Sequence, residues 1–377
     1  MQMTVQVTRL TATPVRREAD VSTAPRNERS TTVTTLEVPP SNLSADQQRE
    51  LYQLMAAVRH LDVSTIGWQR QGIIPGYAPG RGQEAAQVGS AYALEKGKDF
   101  IFPTYREVGV ARAWGVDMIA YMSTHKATWH GGLYDPMASR FAPIQAVVAG
   151  SVLHAVGWAH GQTLDQAEAG APLNVAVTYF GDGGSSQGDV HEAMNFAAVF
   201  KAPVIFFVQN NGWAISVPTE RQVAGGSVSA RAAGYGIATV QIDGNDVEAV
   251  YAATKAARAY ASAGNGPVLI EAMTYRRGPH STSDDPGRYR SLEEERAEGG
   301  QDPVDRYADA LRAQGVADDA FFAEALSAAE AEEESTRHGI EALGARPGTE
   351  IFDFVFQEPT EALKAQAAAW REESEHV

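Results

Sequence analysis

GDGGSSQGDVHEAMNFAAVFKAPVIFFVQNNGWAIS occupies residues 181–216, and its reading decides the fold. The apolar run NVAVTYF (174–180) precedes it, and a second run, PVIFFVQ (203–209), lies inside it and ends at Asn210-Asn211. Neither run alternates apolar with polar residues. Strands buried on both faces read this way, and residues 189–201 between them have the pattern of a crossover helix. TVQI (239–242) and PVLIEAMTY (267–275) repeat the design around a helical stretch at 246–262. The expected fold class is α/β: a parallel sheet flanked by helices.

Ligands of such sheets bind beyond the carboxyl ends of the strands. Gly181-Asp182-Gly183-Gly184 falls at one such end, just before a helix. Glycines let backbone N–H groups approach a phosphate, and a helix amino terminus adds positive potential. Asp182 would repel that phosphate unless a divalent cation lay between them. Hard cations take oxygen ligands, so the side-chain amide of Asn210 or Asn211 can complete the shell without added charge. Magnesium on a diphosphate is the species these residues suit. The plainer alternative is a polar turn, since Asx residues at strand ends often only cap helices. A strand before, a helix after and an Asn pair at the next strand end favour the metal site. The stretch lacks the G-x-G-x-x-G dinucleotide fingerprint, and no G-K-[ST] of a phosphate-binding loop follows.

Outward from this centre the chain of 377 residues divides into three zones. Residues 1–40 read as a loosely held arm ending at Pro39-Pro40. Its Arg9, Arg16, Arg17, Arg26 and Arg29 among Ser and Thr resemble a transit peptide, but Glu18, Asp20, Glu28 and Glu37 oppose that. The expected location is the bacterial cytoplasm, with the mitochondrial matrix second. Residues 41–291 form the α/β domain, opened by a capping box at Ser44-x-x-Gln47 and a helix through Leu51, Leu54, Val58 and Leu61. Residues 292–377 form a helical C-terminal region, in which LEEERAE (292–298) and AEAEEES (329–335) read as solvated faces. A net charge of −16 argues against nucleic acid or an anionic membrane as partner, and the absence of cysteine excludes disulfides and thiolate chemistry.

Six separated motifs now carry a family resemblance: RGQEAAQVGSAYAL (81–94), FPTYREVGVARAWG (102–115), LHAVG (153–157), GDVHEAMNFAAVF (188–200), NNGWAIS (210–216) and GPHSTSDDPGRYR (278–290). In this order they resemble the α subunit of the thiamine-diphosphate-dependent decarboxylating component of 2-oxo acid dehydrogenase complexes, over roughly residues 45 to 345. The resemblance implies thiamine diphosphate and Mg2+ as cofactors. Asp182, Asn211 and the backbone carbonyl of Trp213 match the metal ligands. Tyr105 and Arg106 match the pair that grips the diphosphate, for which a bidentate, permanently charged arginine is suited. Read without the family, Arg106 could equally pair with Glu107 at the surface. Ala146 to Val148 matches the segment touching the aminopyrimidine, and Gly181, Gly183, Gly184, Ala214 and Ile215 complete the cofactor set. His280 matches a catalytic histidine at the site mouth, and His130 in TWHGG matches one lining the substrate cavity beside Tyr77 and Tyr105.

The implied reaction is oxidative decarboxylation of a 2-oxo acid with transfer of the acyl group to a lipoyl arm. The activating Glu belongs to a separate β subunit in this family, so an α2β2 assembly serving a lipoyl-bearing acyltransferase core is expected. HSTSDDP and Gly76, where relatives usually carry Phe, lean toward branched-chain substrates; pyruvate is the alternative. Gln187 and Gln209 are further departures. In animal relatives the serine matching Ser281 is phosphorylated, where added charge would repel a bound diphosphate. A non-catalytic scaffold of the same fold is the reading from another class, and intact Asp182, Asn211, Arg106 and His280 oppose it.

Overall fold

A computed structural model describes residues 34–127, 132–165 and 170–374. Its strands are β1 (Phe100–Phe102), β2 (Ala176–Gly181), β3 (Val204–Asn210), the hairpin pair β4 (Trp213–Ala214) and β5 (Val217–Pro218), β6 (Ala238–Asp243) and β7 (Val268–Met273). All but the hairpin join one sheet in the order β1-β2-β3-β7-β6, and every pairing within it is parallel. Four of the five correspond to the unbroken apolar runs. β1 is three residues long, too short for a pattern to declare it.

Alternate side chains of β2, β3 and β7 enter two separate cores, which is why those runs do not alternate in polarity, whereas the edge strand β6 feeds only the first core. Val177, Tyr179, Ile205, Phe207 and Ile270 face one cluster, shared with Leu51, Val58 and Leu61. Phe180, Val204, Phe206, Val208 and Leu269 face the other, shared with Val190, Met194 and Ala197 of the crossover helix Gly188–Phe200. The helix Ala45–Arg70 begins at the capping box expected for it: Gln47 N donates to Ser44 Oγ at 3.3 Å and Ser44 N donates to Gln47 Oε1 at 3.0 Å. Helices Pro303–Ala313 and Asp319–Ala342 return to that first core through Tyr307, Leu311, Phe322 and Ile340.

Most of the N-terminal arm lies outside the described residues. Its last part is tied down: Thr34 O accepts from Thr239 N, and Leu36 N donates to Thr239 O, both at 3.0 Å along β6. Among the described residues no helix is long and apolar enough to cross a membrane.

Gly82 shows how tightly the loop before the helix Glu84–Tyr92 is set. Its φ is +92°, and an added Cβ would stand 2.3 Å from the Tyr275 carbonyl oxygen. Gly82→Ala therefore meets both an unfavourable backbone region and a backbone clash. A loss of about 2–4 kcal/mol in unfolding free energy is expected by urea titration.

Candidate functional site

The register of β2 against β3 pairs Gly181 with Gln209, so Asp182 and the Asn pair leave adjacent strand ends at nearly one level. They meet over a cleft that also holds Tyr105, Arg106, Val148 and His280. Gly183 sits where a Cβ would lie 2.9 Å from that of Ala214, so its glycine identity serves the closeness of the β4 turn as well as any ligand.

Asp182 is 1% exposed. Its Oδ2 accepts from Thr219 Oγ1 at 2.7 Å, while Oδ1 has no hydrogen-bond partner among the described residues. Burial pushes this carboxyl up, and the Thr219 hydroxyl pulls it part of the way back. A buried carboxylate with one bare oxygen fits the donor chemistry of a cation ligand. Gln83 supplies the complementary signal: it is 1% exposed, lines the same cleft, and its Nε2 lacks a partner among the described residues. Among the described residues no three His, Cys, Asp or Glu side chains cluster to hold a metal by themselves. Hard cations also take amide and carbonyl oxygens, and Mg2+ often sits on one or two carboxylates together with phosphate oxygens.

The two asparagines divide the work. Asn210 donates from Nδ2 to Glu271 Oε1 at 2.9 Å, tying β3 to β7. Asn211 lines the cleft, donating from Nδ2 to Gln83 Oε1 and accepting on Oδ1 from Trp213 N, at 3.3 and 3.2 Å. The Trp213 carbonyl accepts from Arg276 Nη1 at 3.4 Å, and the Ile215 carbonyl from Arg276 Nη2 at 2.8 Å. Ile215 has φ +56°, a strained value for a β-branched residue, in the two-residue turn of the hairpin. Arg276, fully buried, holds that turn over the cleft.

Arg106 is 6% exposed and Glu107 1% exposed, so neither side chain stands at the surface. The two carboxylate oxygens of Glu107 instead take Thr104 N and Oγ1, both at 2.5 Å, and Gln209 Nε2 at 2.7 Å. The surface-pair alternative for Arg106 is thus excluded by geometry. Arg106 donates from Nη1 to the Pro79 carbonyl, and from Nη2 to the His280 carbonyl at 2.9 Å and to His280 Nδ1 at 3.2 Å. Because guanidinium cannot accept, His280 Nδ1 is the acceptor and the proton of the neutral ring sits on Nε2. The Tyr105 ring lies edge-on to His280 at 6.1 Å and beneath Arg106 at 5.4 Å.

The His280 loop is held by hydrogen bonds that converge on Asp284 and Tyr289. Asp284 Oδ2 accepts from His280 N at 2.7 Å and from Tyr289 OH at 2.6 Å, and Arg276 Nη2 donates to Tyr289 OH at 2.7 Å. Burial, then Arg106 and Arg276, lower the His280 pKa to about 4. An unfolded histidine titrates near 6.5, so this group's contribution to stability is present above that value and is lost as pH falls toward about 4. The stability advantage of the native chain over His280→Asn, whose amide cannot take a proton there, should shrink between pH 7 and pH 5. Parallel urea curves at both pH values would contradict this.

Of the remaining expected residues, Ala146 is exposed and is not part of the cleft lining, where Val148 and the unforeseen Ala149 stand. Tyr77 is 4% exposed and turns its phenol inward to Asp62. His130 lies outside the described residues. The lining also includes Gln83, Thr104, Glu107 and Gln209, which motif reading did not select as site residues. Gln83, Thr104 and Glu107 stand inside two of the quoted motifs, but nothing local marks a glutamine, threonine or glutamate as turned inward.

A parallel α/β sheet with a cation-ready, anion-ready cleft at its carboxyl edge defines the class. Residues 52–338 match the family model of the dehydrogenase E1 component, and the chain belongs to that family. It is 43% identical over 333 residues to the 3-methyl-2-oxobutanoate dehydrogenase subunit alpha of Mycobacterium tuberculosis, covering 88% of this chain and 89% of that one. It is also 36% identical over 332 residues to the pyruvate dehydrogenase E1 component subunit alpha of Staphylococcus aureus, covering 88% of each. The protein of that name from Bacillus cereus is 41% identical over 291 residues, with 77% of this chain and 76% of the other covered. The chain is accordingly a homologue of 2-oxo acid dehydrogenase α subunits.

Proposed function

We propose that the chain is the α half of a thiamine-diphosphate-dependent enzyme that oxidatively decarboxylates a branched-chain 2-oxo acid, for which 3-methyl-2-oxobutanoate is the substrate to test first. The single observation that carries the cofactor part of this reading is the bare buried oxygen of Asp182 in a cleft lined also by Arg106 and His280. Asp182 and Asn211, with the Trp213 carbonyl, would hold Mg2+, and Tyr105 and Arg106 would hold the diphosphate. When bound, thiamine diphosphate supplies the electron sink for loss of carbon dioxide from a 2-oxo acid. This chain's residues do the rest: Arg106 orients His280, neutral at pH 7, and His280 offers a proton on Nε2 at the mouth of the site. Tyr77 and His130 remain candidate substrate residues, Tyr77 through its backbone and His130 through its ring.

The site needs a second chain. No residue of the six motifs matches the activating Glu, which a β subunit is proposed to supply in an α2β2 assembly serving a lipoyl-bearing acyltransferase core. Leu164, Phe196, Val199 and Phe200 are exposed on two neighbouring helices, an apolar face of the kind partner chains cover. The setting proposed for this assembly is the bacterial cytoplasm.

The test is co-expression with a β subunit and measurement of kcat/KM for 3-methyl-2-oxobutanoate and pyruvate. Preference for the branched acid is expected, each tenfold being about 1.4 kcal/mol. Preference for pyruvate, which the 41% identical Bacillus protein makes the second substrate to test, would transfer the assignment. Activity on neither would overturn it.

A further inference from the structure

Asp62 was not singled out by any motif. It lies on the helix Ala45–Arg70, is 1% exposed, and is not one of the residues lining the cleft. Its Oδ1 accepts two hydrogen bonds, from Tyr77 OH and from Gly80 N, both at 2.7 Å. Those bonds fix both ends of the short irregular segment 77–80. From that segment two further contacts leave. The Pro79 carbonyl takes Arg106 Nη1. Tyr77 pairs through its backbone with the His280 loop, its carbonyl accepting from Thr282 N at 2.8 Å and its N donating to Thr282 Oγ1 at 3.1 Å.

We infer that Asp62 is a positioning residue for the anion-binding side of the cleft: one buried carboxylate oxygen sets the segment from which both Arg106 and the His280 loop are hung. Arg106 has three acceptors, and one of them belongs to this segment while the other two belong to His280. Releasing the segment therefore frees the guanidinium and the histidine loop together. A packing role alone does not explain a carboxylate here. Burial penalises the charge, Oδ2 has no partner among the described residues, and an apolar residue would serve the core better. What Asp62 supplies is an acceptor reaching a phenol and a backbone amide at once.

The inference rests on the reading of the cleft as a thiamine diphosphate site, and its test separates the two. In the co-expressed α–β assembly, hydrogen exchange of residues 278–290 is followed without cofactor, and the thiamine diphosphate dissociation constant is measured by calorimetry with Mg2+. Asp62→Ala should speed exchange across 278–290 and raise the dissociation constant at least tenfold. Asp62→Asn keeps an acceptor oxygen and should restore both values to within about twofold of the native ones. Should Asp62→Ala fail to assemble, Tyr77→Phe removes one of the two bonds and should speed exchange in 278–290 alone. Unchanged exchange in Asp62→Ala or Tyr77→Phe would overturn the inference, as would an Asn variant as defective as the Ala variant. Failure of the native assembly to bind thiamine diphosphate would count against the functional reading, and the cofactor-free exchange result would still decide the role of Asp62.

Discussion

Asp182→Ala should abolish Mg2+-dependent cofactor binding while leaving the cofactor-free protein as stable as before. The two halves of this expectation come from one geometry. Asp182 is buried with Oδ1 bare and its carboxyl pushed up by burial, so in the absence of a cation its charge is a cost. Removing it relieves that cost and forfeits the 2.7 Å bond from Thr219, worth about 1 kcal/mol. The two changes nearly offset. Binding has no such offset, because among the described residues the cleft lining holds no carboxylate besides Asp182 and Glu107, and Glu107 is already engaged by Thr104 and Gln209. A loss of two orders of magnitude or more in affinity, about 2.8 kcal/mol, is expected by calorimetry. A marked fall in unfolding free energy with affinity intact would assign Asp182 to the turn instead.

Arg106→Lys is the second large effect. A lysine keeps the charge but not the fork. Its single ammonium cannot reach the Pro79 carbonyl, the His280 carbonyl and His280 Nδ1 as the guanidinium does. Hydrogen bonds to charged groups contribute about 1.5–3 kcal/mol each. Loss of the fork should lower unfolding free energy by about 2–4 kcal/mol and weaken diphosphate binding at least tenfold. Urea titration and calorimetry on the assembled protein check the two parts. Wild-type affinity in the lysine variant would show that charge alone suffices at this position.

Much of this was legible in the sequence because it follows from burial. Strands covered on both faces are largely apolar, so β2, β3 and β7 announce themselves, and the carboxyl ends of β2 and β3 locate the cleft. That Asp182 and Asn211 would share one cleft was readable because both follow directly on the ends of neighbouring buried runs. Glu107 was not readable. A glutamate next to an arginine suggests an ion pair, and only the fold shows it turned inward onto Thr104 and Gln209. Tyr77 shows the opposite limit. Its motif pointed to the site, yet the phenol turns to Asp62 and only its backbone reaches the His280 loop. Asp62 itself looks like the polar face of an amphipathic helix, since helical periodicity cannot tell a solvated carboxylate from one buried beneath a loop.

Asp182 and Asn211 are proposed to form one cation site that joins a diphosphate to this cleft. Thiamine diphosphate titrated into the α–β assembly by calorimetry, with Mg2+ and then with excess chelator, tests it most directly. Saturable binding at one site per α chain with Mg2+, falling at least a hundredfold on chelation, is the expected result. Equal affinity in the two titrations, or no binding with Mg2+ in excess, would contradict it.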